Sequence, residues 1–194
     1  MNTTISRRLV LGLGAASVAF VGVAGLASSA LFTSQDTSTG NSFTSGTVAI
    51  NTGSGAAVFT AANMAPGDVN YGKVPVANAG SLQMRYAMSS SSTNADSKGL
   101  ASTLTAKVVA ISSAATCNQS AISGGTPIYS GLLSSAAFGS LAAGAQAGDR
   151  TLAAGASEAL CVEVTFPVAA TNGVQGASTS TTLTFDAEQT LNNA

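Results

Sequence analysis

The sequence predicts an all-β protein, an antiparallel β-sandwich or jelly roll with at most a short helix. Short runs of alternating apolar and polar residues recur between clusters of Gly, Asn, Asp and Pro, which is typical of half-buried strands joined by turns. Helical periodicity is weak, because glycines interrupt the best Ala-rich stretch. A mean hydropathy of +0.35 with 8% charged residues indicates a folded domain, since disordered chains combine low hydrophobicity with high net charge.

The strand-like segments follow one another along the chain. We expect strands at residues 43–50, 56–61, 69–77, 82–88, 100–111, 128–133, 150–152, 158–166 and 181–187. Turns are expected at 51–55, 64–68 and 78–81, and loops at 89–99 and 112–126. The best helix candidate, residues 132–148, contains three glycines, so only a short helix or a turn is expected there.

Two of these strands alternate most clearly. Their apolar positions are Leu82, Met84, Tyr86 and Met88 in the first strand and Leu160, Val162 and Val164 in the second. Residues two apart on a strand point to the same face, so each set forms one apolar side. Pro167 ends the second strand.

The first thirty residues have the pattern of a secretory signal peptide. Arg7 and Arg8 precede an uncharged apolar run, and small residues follow it up to Ala30, where cleavage is expected. We therefore predict a signal peptide at 1–30, a single β domain at 31–194, and a secreted or cell-surface protein that meets signal peptidase during export. A retained membrane anchor is the alternative. The arginine pair leaves both the general secretory and the twin-arginine export route open.

The mature segment carries little charge. Its five Lys and Arg residues stand against eight acids, which gives a net charge of −3. This balance excludes the basic surface with which proteins bind nucleic acid. A neutral, hydroxyl-rich surface suits the packing of like subunits, because little self-repulsion opposes it.

Cys117 and Cys161 are the two cysteines of the chain. In an exported protein an isolated pair of cysteines predicts one disulfide. By closing the loop between the two cysteines, this bond would stabilise the fold by roughly 4 kcal/mol through the lost entropy of the unfolded chain. The alternative is a redox or metal pair. The lack of C-x-x-C spacing and of His argues against that alternative.

The residue types argue against an enzyme. The chain has no His, hence no H-E-x-x-H zinc motif and no imidazole base for a Ser or Cys nucleophile. A carboxylate-only site would draw on Asp36, Asp68, Asp96, Asp149, Asp186, Glu158, Glu163 and Glu188. Of these, Asp186 and Glu188 share one strand face, as a glycosidase pair could, whereas solvation of an outer sheet face is the simpler explanation. Asn94, Asp96 and Asp68 are a conceivable calcium set without EF-hand spacing. We predict no catalytic residue, metal or cofactor.

Several segments of the mature chain resemble the TasA and camelysin family of secreted bacterial surface proteins. They are Leu31 to Asp36, Thr39 to Val48, Met64 to Asp68, Asn78 to Ser81 with Tyr86, and Phe185 to Thr190, in the order that the family has them. Residues 89–157 match loosely, and the two cysteines resemble an actinobacterial branch of the family.

The resemblance implies a jelly-roll domain that polymerises into matrix fibres of biofilms. It also implies that an extended N-terminal segment of one subunit completes the sheet of the next; here that segment begins at Leu31, Phe32, Thr33 and Ser34. The expected partner is a second copy of the chain, with other matrix or cell-wall components as further candidates. The leading hypothesis is thus a structural fibre subunit. The alternatives are a monomeric binding module for a wall or matrix component, and a secreted metalloendopeptidase like camelysin.

Overall fold

The computed structural model describes residues 45–53, 63–140 and 142–193. The strands, in chain order, are β1 (Ile50–Asn51), β2 (Val69–Asn78), β3 (Met84–Ser92), β4 (Thr105–Ser112), β5 (Pro127–Leu132), β6 (Ala137–Phe138), β7 (Arg150–Leu152), β8 (Ser157–Thr165) and β9 (Thr181–Gln189). The described residues contain one α-helix, α1 (Gln119–Gly124), and three single 3-10 turns at Leu100–Ser102, Leu133–Ser135 and Asn172–Val174.

The strands form two antiparallel sheets. The first has the order β1-β2-β8-β4-β5. In the second, β9 lies along one side of β3, while β6 and β7 pair with different parts of its other side. The chain crosses repeatedly between the two sheets, so the predicted antiparallel β-sandwich is confirmed.

The core lies between the sheets and is built by the two strands whose alternation is clearest in the sequence. Met84, Tyr86 and Met88 of β3 are at most 1% exposed. Leu160 and Val162 of β8 face the same core from the other sheet. The alternation predicted for both strands is therefore confirmed.

The turn predicted at residues 64–68 is also present. Gly67 has a φ of 102°, a conformation that favours glycine, and the N–H of Asp68 donates to the carbonyl of Ala65 at 3.0 Å. The Asp68 carboxylate accepts a hydrogen bond from the N–H of Ala65 at 2.7 Å. This closed turn sets the start of β2.

The first predicted strand is mostly wrong within the described residues, and the second, 56–61, lies outside them. Only Ile50–Asn51 is a strand, although the chain before it runs beside the turn after β2. There the carbonyls of Thr47 and Ala49 accept hydrogen bonds from the N–H groups of Ser81 and Ala79. A Cβ on Gly80 would lie 2.3 Å from the Thr47 carbonyl oxygen, so the close approach requires glycine.

Two loop boundaries were also predicted wrongly. Ser89–Ser92 continue β3, because their backbone pairs with the Thr-rich start of β9 and Ser92 Oγ lies 2.8 Å from Thr181 Oγ1. Conversely, Leu100–Ser102 form a 3-10 turn, and β4 begins only at Thr105. A left-handed Gly99 at φ 69° starts that turn.

The helix is short, as predicted, but it lies elsewhere. Residues 132–148 contain a 3-10 turn, β6 and turns with positive φ at Gly139, Gly144 and Gly148. The helix α1 lies in the predicted loop 112–126, where the side chain of Asn118 caps it by accepting from the N–H of Ala121 at 3.0 Å.

The connection from β4 to β5, residues 113–126, folds back over the outer face of the first sheet; we call it the α1 cap. Ile122 of the cap packs against Val109 and Cys161, all at most 3% exposed. The Lys73 ammonium donates to the carbonyls of Ser113 and Ala115, at 2.6 and 2.7 Å. The cap thus forms a second, small core outside the sandwich.

The predicted disulfide between Cys117 and Cys161 is present. It joins the α1 cap to β8, the central strand of the first sheet, with a Cα–Cα distance of 5.0 Å. Because Cys161 is fully buried, the bond is protected by the cap that it attaches.

Candidate assembly edge

Strand β9 forms one edge of the second sheet. It pairs with β3 along all nine of its residues, and the described residues place no strand on its other side. Nine residues make it the longest of the outer strands in the two sheets. A long strand at a sheet edge can accept an additional strand through its backbone.

The backbone groups of β9 that point away from β3 can be identified. The carbonyl of Ser180 accepts from the N–H of Thr93, and the N–H of Thr190 donates to the carbonyl of Gln83. Successive residues of a strand direct these groups to opposite sides, so the even-numbered residues of β9 face β3. The odd-numbered residues therefore turn their N–H and C=O groups toward the edge; they include Leu183, Phe185 and Ala187.

The same odd-numbered residues point their side chains into the sandwich. Leu183, Phe185 and Ala187 pack against the core but are only partly buried, whereas Tyr86 on the adjacent strand is 1% exposed. The rings of Phe185 and Tyr86 lie 6.3 Å apart. The core is thus less well covered along β9 than along β3, and an apolar side chain from an added strand would extend it.

The other outer strands are less suited to accept a partner. β5 has six residues, begins with Pro127, which lacks an N–H, and meets β4 across an irregularity at Val108 and Val109. β1 and β6 have two residues each and β7 has three. Short, irregular or proline-containing edges are those that proteins use to avoid strand addition.

A network of polar side chains fixes β3 behind this edge. The buried hydroxyl of Tyr86 donates to Glu158 Oε1 at 2.5 Å, and Arg150 donates from Nε to the same oxygen at 3.0 Å and from a terminal nitrogen to Oε2 at 2.5 Å. Burial, reinforced by the hydrogen bond to Glu158 and its charge, raises the pKa of Tyr86. The hydrogen bond to Glu158 likewise raises the pKa of Arg150. The three groups connect β8 of the first sheet to β3 and β7 of the second.

A second network holds the C-terminal end of β9. Arg85, 7% exposed, has its Nε 2.8 Å from Glu188 Oε1 and contacts the carbonyl of Asn193 with a terminal nitrogen. Glu188 also accepts from the N–H of Gly144 at 2.9 Å and from the Asn193 amide at 2.8 Å. A cleft of about 160 Å³ lies beside these residues on the outer face of the sheet.

The carboxylates considered as a catalytic pair lie at this cleft, but they have different hydrogen-bond and ion-pair partners. Asp186 and Glu188 share the outer face of β9, as predicted, and Asp149 also lines the cleft. Glu188 is bound to Arg85, and Asp149 accepts from the N–H groups of Ser140 and Gln146, at 2.9 and 2.8 Å. Asp186 is exposed, and within the described residues its carboxylate makes no such bond.

The residues weighed as a calcium set are separated and occupied. Asn94 accepts from the N–H of Gly99, and Asp68 belongs to the turn before β2. Asp96 accepts from the N–H groups of Ser178 and Lys98; these bonds, the first above all, lower its pKa. Among the described residues, no three of His, Cys, Asp and Glu are grouped so that they could hold a metal ion.

The predicted N-terminal site residues lie outside the described part of the chain. They are Ala30 at the cleavage position, Leu31, Phe32, Thr33 and Ser34 of the donor segment, and the candidate carboxylate Asp36. Within the described residues, no helix is long and apolar enough to span a membrane.

Sequence reasoning predicted a strand at 181–187 but did not identify it as the edge of a sheet, and it did not identify Arg85 as a buried group. The Thr-x-Thr alternation, which continues without Pro or Gly through Gln189, indicates a strand but not its position in the sheet. No sequence signal marks Arg85, because it occupies a position that reads as the polar side of β3.

A protein-family comparison matches residues 4–102 to a family described as camelysin metallo-endopeptidase. The match spans half of the chain and ends before β4, so Cys117, Cys161 and β9 lie outside it. No curated protein matches the chain. The family description implies a metal centre, but the donor set does not fit one: the chain has no His, both cysteines are in a disulfide, and the described carboxylates are dispersed.

Proposed function

Because the chain belongs to the TasA and camelysin family, we propose that it is a secreted structural subunit of cell-surface or biofilm-matrix fibres. The observation that carries the proposal is the edge strand β9, nine residues long with a partly covered apolar row. Its occupant would be the N-terminal segment of another copy, beginning at Leu31. Residues 1–30 act as the signal peptide that delivers the subunit to the outside.

Strand donation supplies both affinity and polymer geometry. An added strand gains backbone hydrogen bonds from the odd-numbered residues of β9, while alternate side chains cover the core beside Leu183 and Phe185. Since the donor and the acceptor are different parts of the chain, the contact is head-to-tail and need not close into a ring. Repetition of this contact produces a filament.

The direct test is assembly of purified protein that starts at Leu31, observed by negative-stain electron microscopy. We expect filaments from this protein and none from a variant that lacks residues 31–40. Filaments from both would retain the scaffold but discard the donor segment. If neither protein assembles across pH, salt and concentration, the proposal fails.

The acceptor edge can be tested by two neighbouring proline substitutions. Ala187→Pro removes an N–H that points to the edge, so the monomer should fold and fail to assemble. Asp186→Pro removes an N–H that points to β3, so it should destabilise the monomer itself. Circular dichroism and microscopy of the two variants separate blocked assembly from lost folding. Normal filaments from Ala187→Pro would exclude β9 as the acceptor.

The family description favours one other candidate function, a secreted metalloendopeptidase. Because the described residues provide no group of metal ligands, no hydrolytic step can be assigned to them. Chelator-sensitive cleavage of a protein substrate by the pure chain, reproduced by independent preparations, would establish this function. Hydrolysis that separates from the protein during purification would reject it.

A further inference from the structure

The outer face of the first sheet is covered at one end and open at the other. The α1 cap covers Cys161 and Val109. Beyond the cap, two rows of outward-pointing residues cross strands β2, β8, β4 and β5. These rows, here called the open face, are Tyr71, Glu163, Lys107 and Ser130, and then Val69, Thr165, Thr105 and Leu132.

Exposed apolar side chains concentrate at this end of the molecule. Among the described residues four large hydrophobic side chains are exposed: Val69 and Leu132 at 43%, Val168 at 82% and Leu191 at 66%. Val69 and Leu132 lie at the two sides of the open face. Val168 lies at the same end, beside the Gly67 turn that precedes β2. Such a concentration favours contact with another surface.

The open face carries one positive and one negative side chain, so a second copy of the same face is electrostatically complementary to it. Lys107 and Glu163 lie opposite each other on neighbouring strands. Of the five described Lys and Arg side chains, that of Lys107 alone makes no hydrogen bond or ion pair within the described chain. A second copy of the same face would offer a carboxylate to this ammonium and receive one in return.

The size of the open face determines which assembly it can support. Four strands and two rows cover roughly 250 Å², from the usual strand spacing and rise. A stable interface buries about 800 Å² on each partner, so isolated subunits should not dimerise through this face. A fibre repeats the face along its length, and many weak contacts made together hold where a single one does not.

We infer that the open face is a lateral contact between copies of this chain in neighbouring fibres, an inference that rests on the proposed fibre function. The second copy must be turned end for end, because copies that point the same way would bring their α1 caps into collision. In the inverted arrangement each cap lies beyond the end of the partner's sheet. The row that contains Val69 and Leu132 in one copy then lies over the row that contains Tyr71 and Ser130 in the other, and Lys107 comes within reach of Glu163 of the second copy diagonally across the centre.

Charge reversal in preformed fibres tests this contact. Lys107→Glu makes the face doubly negative, and Glu163→Lys makes it doubly positive, so fibres of either variant alone should remain single. Mixing the two kinds of fibre, or combining both changes in one chain, should restore bundles. Lys98→Glu makes the same charge change in the connection between β3 and β4, outside the two rows of the open face, and should leave bundles unchanged. Low-speed pelleting and electron microscopy measure the bundled fraction.

The outcomes separate this inference from the proposed function. Bundles that persist in Lys107→Glu fibres, or mixed fibres that stay single, would overturn the lateral contact while leaving the fibre itself intact. Wild-type fibres that never bundle would overturn it as well. Absence of any fibre from the wild-type chain would reject the proposed function and the lateral contact together.

Discussion

Removal of the Cys117–Cys161 disulfide should destabilise the domain strongly. The bond closes a loop with a sequence separation of 44 residues. The chain-entropy relation for a loop of that length gives about 4 kcal/mol, and a domain of this size loses about 2–4 °C of melting temperature per kcal/mol. We therefore expect Cys117→Ala combined with Cys161→Ala to melt about 10 °C lower than the oxidised protein.

The assay is urea unfolding and thermal melting, followed by circular dichroism, of the oxidised protein, the reduced protein and the double variant. Reduced protein and double variant should agree, because both lose the same constraint. Lys73→Ala removes two hydrogen bonds from the same cap and serves as the matched control, with an expected cost of about 1–2 kcal/mol. A loss below about 1 kcal/mol in the double variant would refute the loop-closure reasoning.

Three further predictions concern buried or hydrogen-bonded polar groups. Asn78→Ala should cost about 3 kcal/mol in urea unfolding, because the two N–H groups of its buried amide are shared among three carbonyl oxygens, whereas exposed Asn51→Ala should cost about 0.5 kcal/mol. Equal losses of unfolding free energy in the Asn78→Ala and Asn51→Ala variants would contradict this expectation. Since the pKa of Tyr86 is raised in the fold, stability should fall as the pH rises above about 10, where unfolded tyrosine ionises, and Tyr86→Phe should flatten that fall. Parallel curves of stability against pH for the wild type and Tyr86→Phe would contradict this contribution of Tyr86. Since the pKa of Asp96 is lowered, stability should fall below about pH 4, and Asp96→Asn should reduce this acid sensitivity; an unchanged acid limb would exclude that contribution.

The sequence predicts the strands that carry an alternating apolar face and misses the elements that depend on long-range partners. β3 and β8 were identifiable because their apolar residues repeat every second position, which only a half-buried strand requires. The Ser89–Ser92 extension looks like a loop in isolation. It is a strand because the Thr-rich start of β9, about ninety residues later, pairs with it.

The same distinction applies to the small elements and the candidate site. In the sequence Asn118 is a polar residue in a predicted loop. Its role as a helix cap depends on the burial of Ile122 against Val109 and Cys161, which are distant in sequence. The cysteine pair was predictable because an exported chain with two cysteines has one pairing. An edge strand could not be predicted, because whether a strand is central or outer depends on the arrangement of all the others.

Backbone hydrogen exchange along β9 tests the central claim most directly. The measurement compares the variant that lacks residues 31–40, alone and with a synthetic peptide of residues 31–41. We predict that the peptide slows exchange at the N–H groups of Leu183, Phe185 and Ala187, which point to the edge, and leaves the even-numbered positions nearly unchanged. Unaltered exchange at all three positions under saturating peptide, with the domain folded, would contradict strand addition at β9.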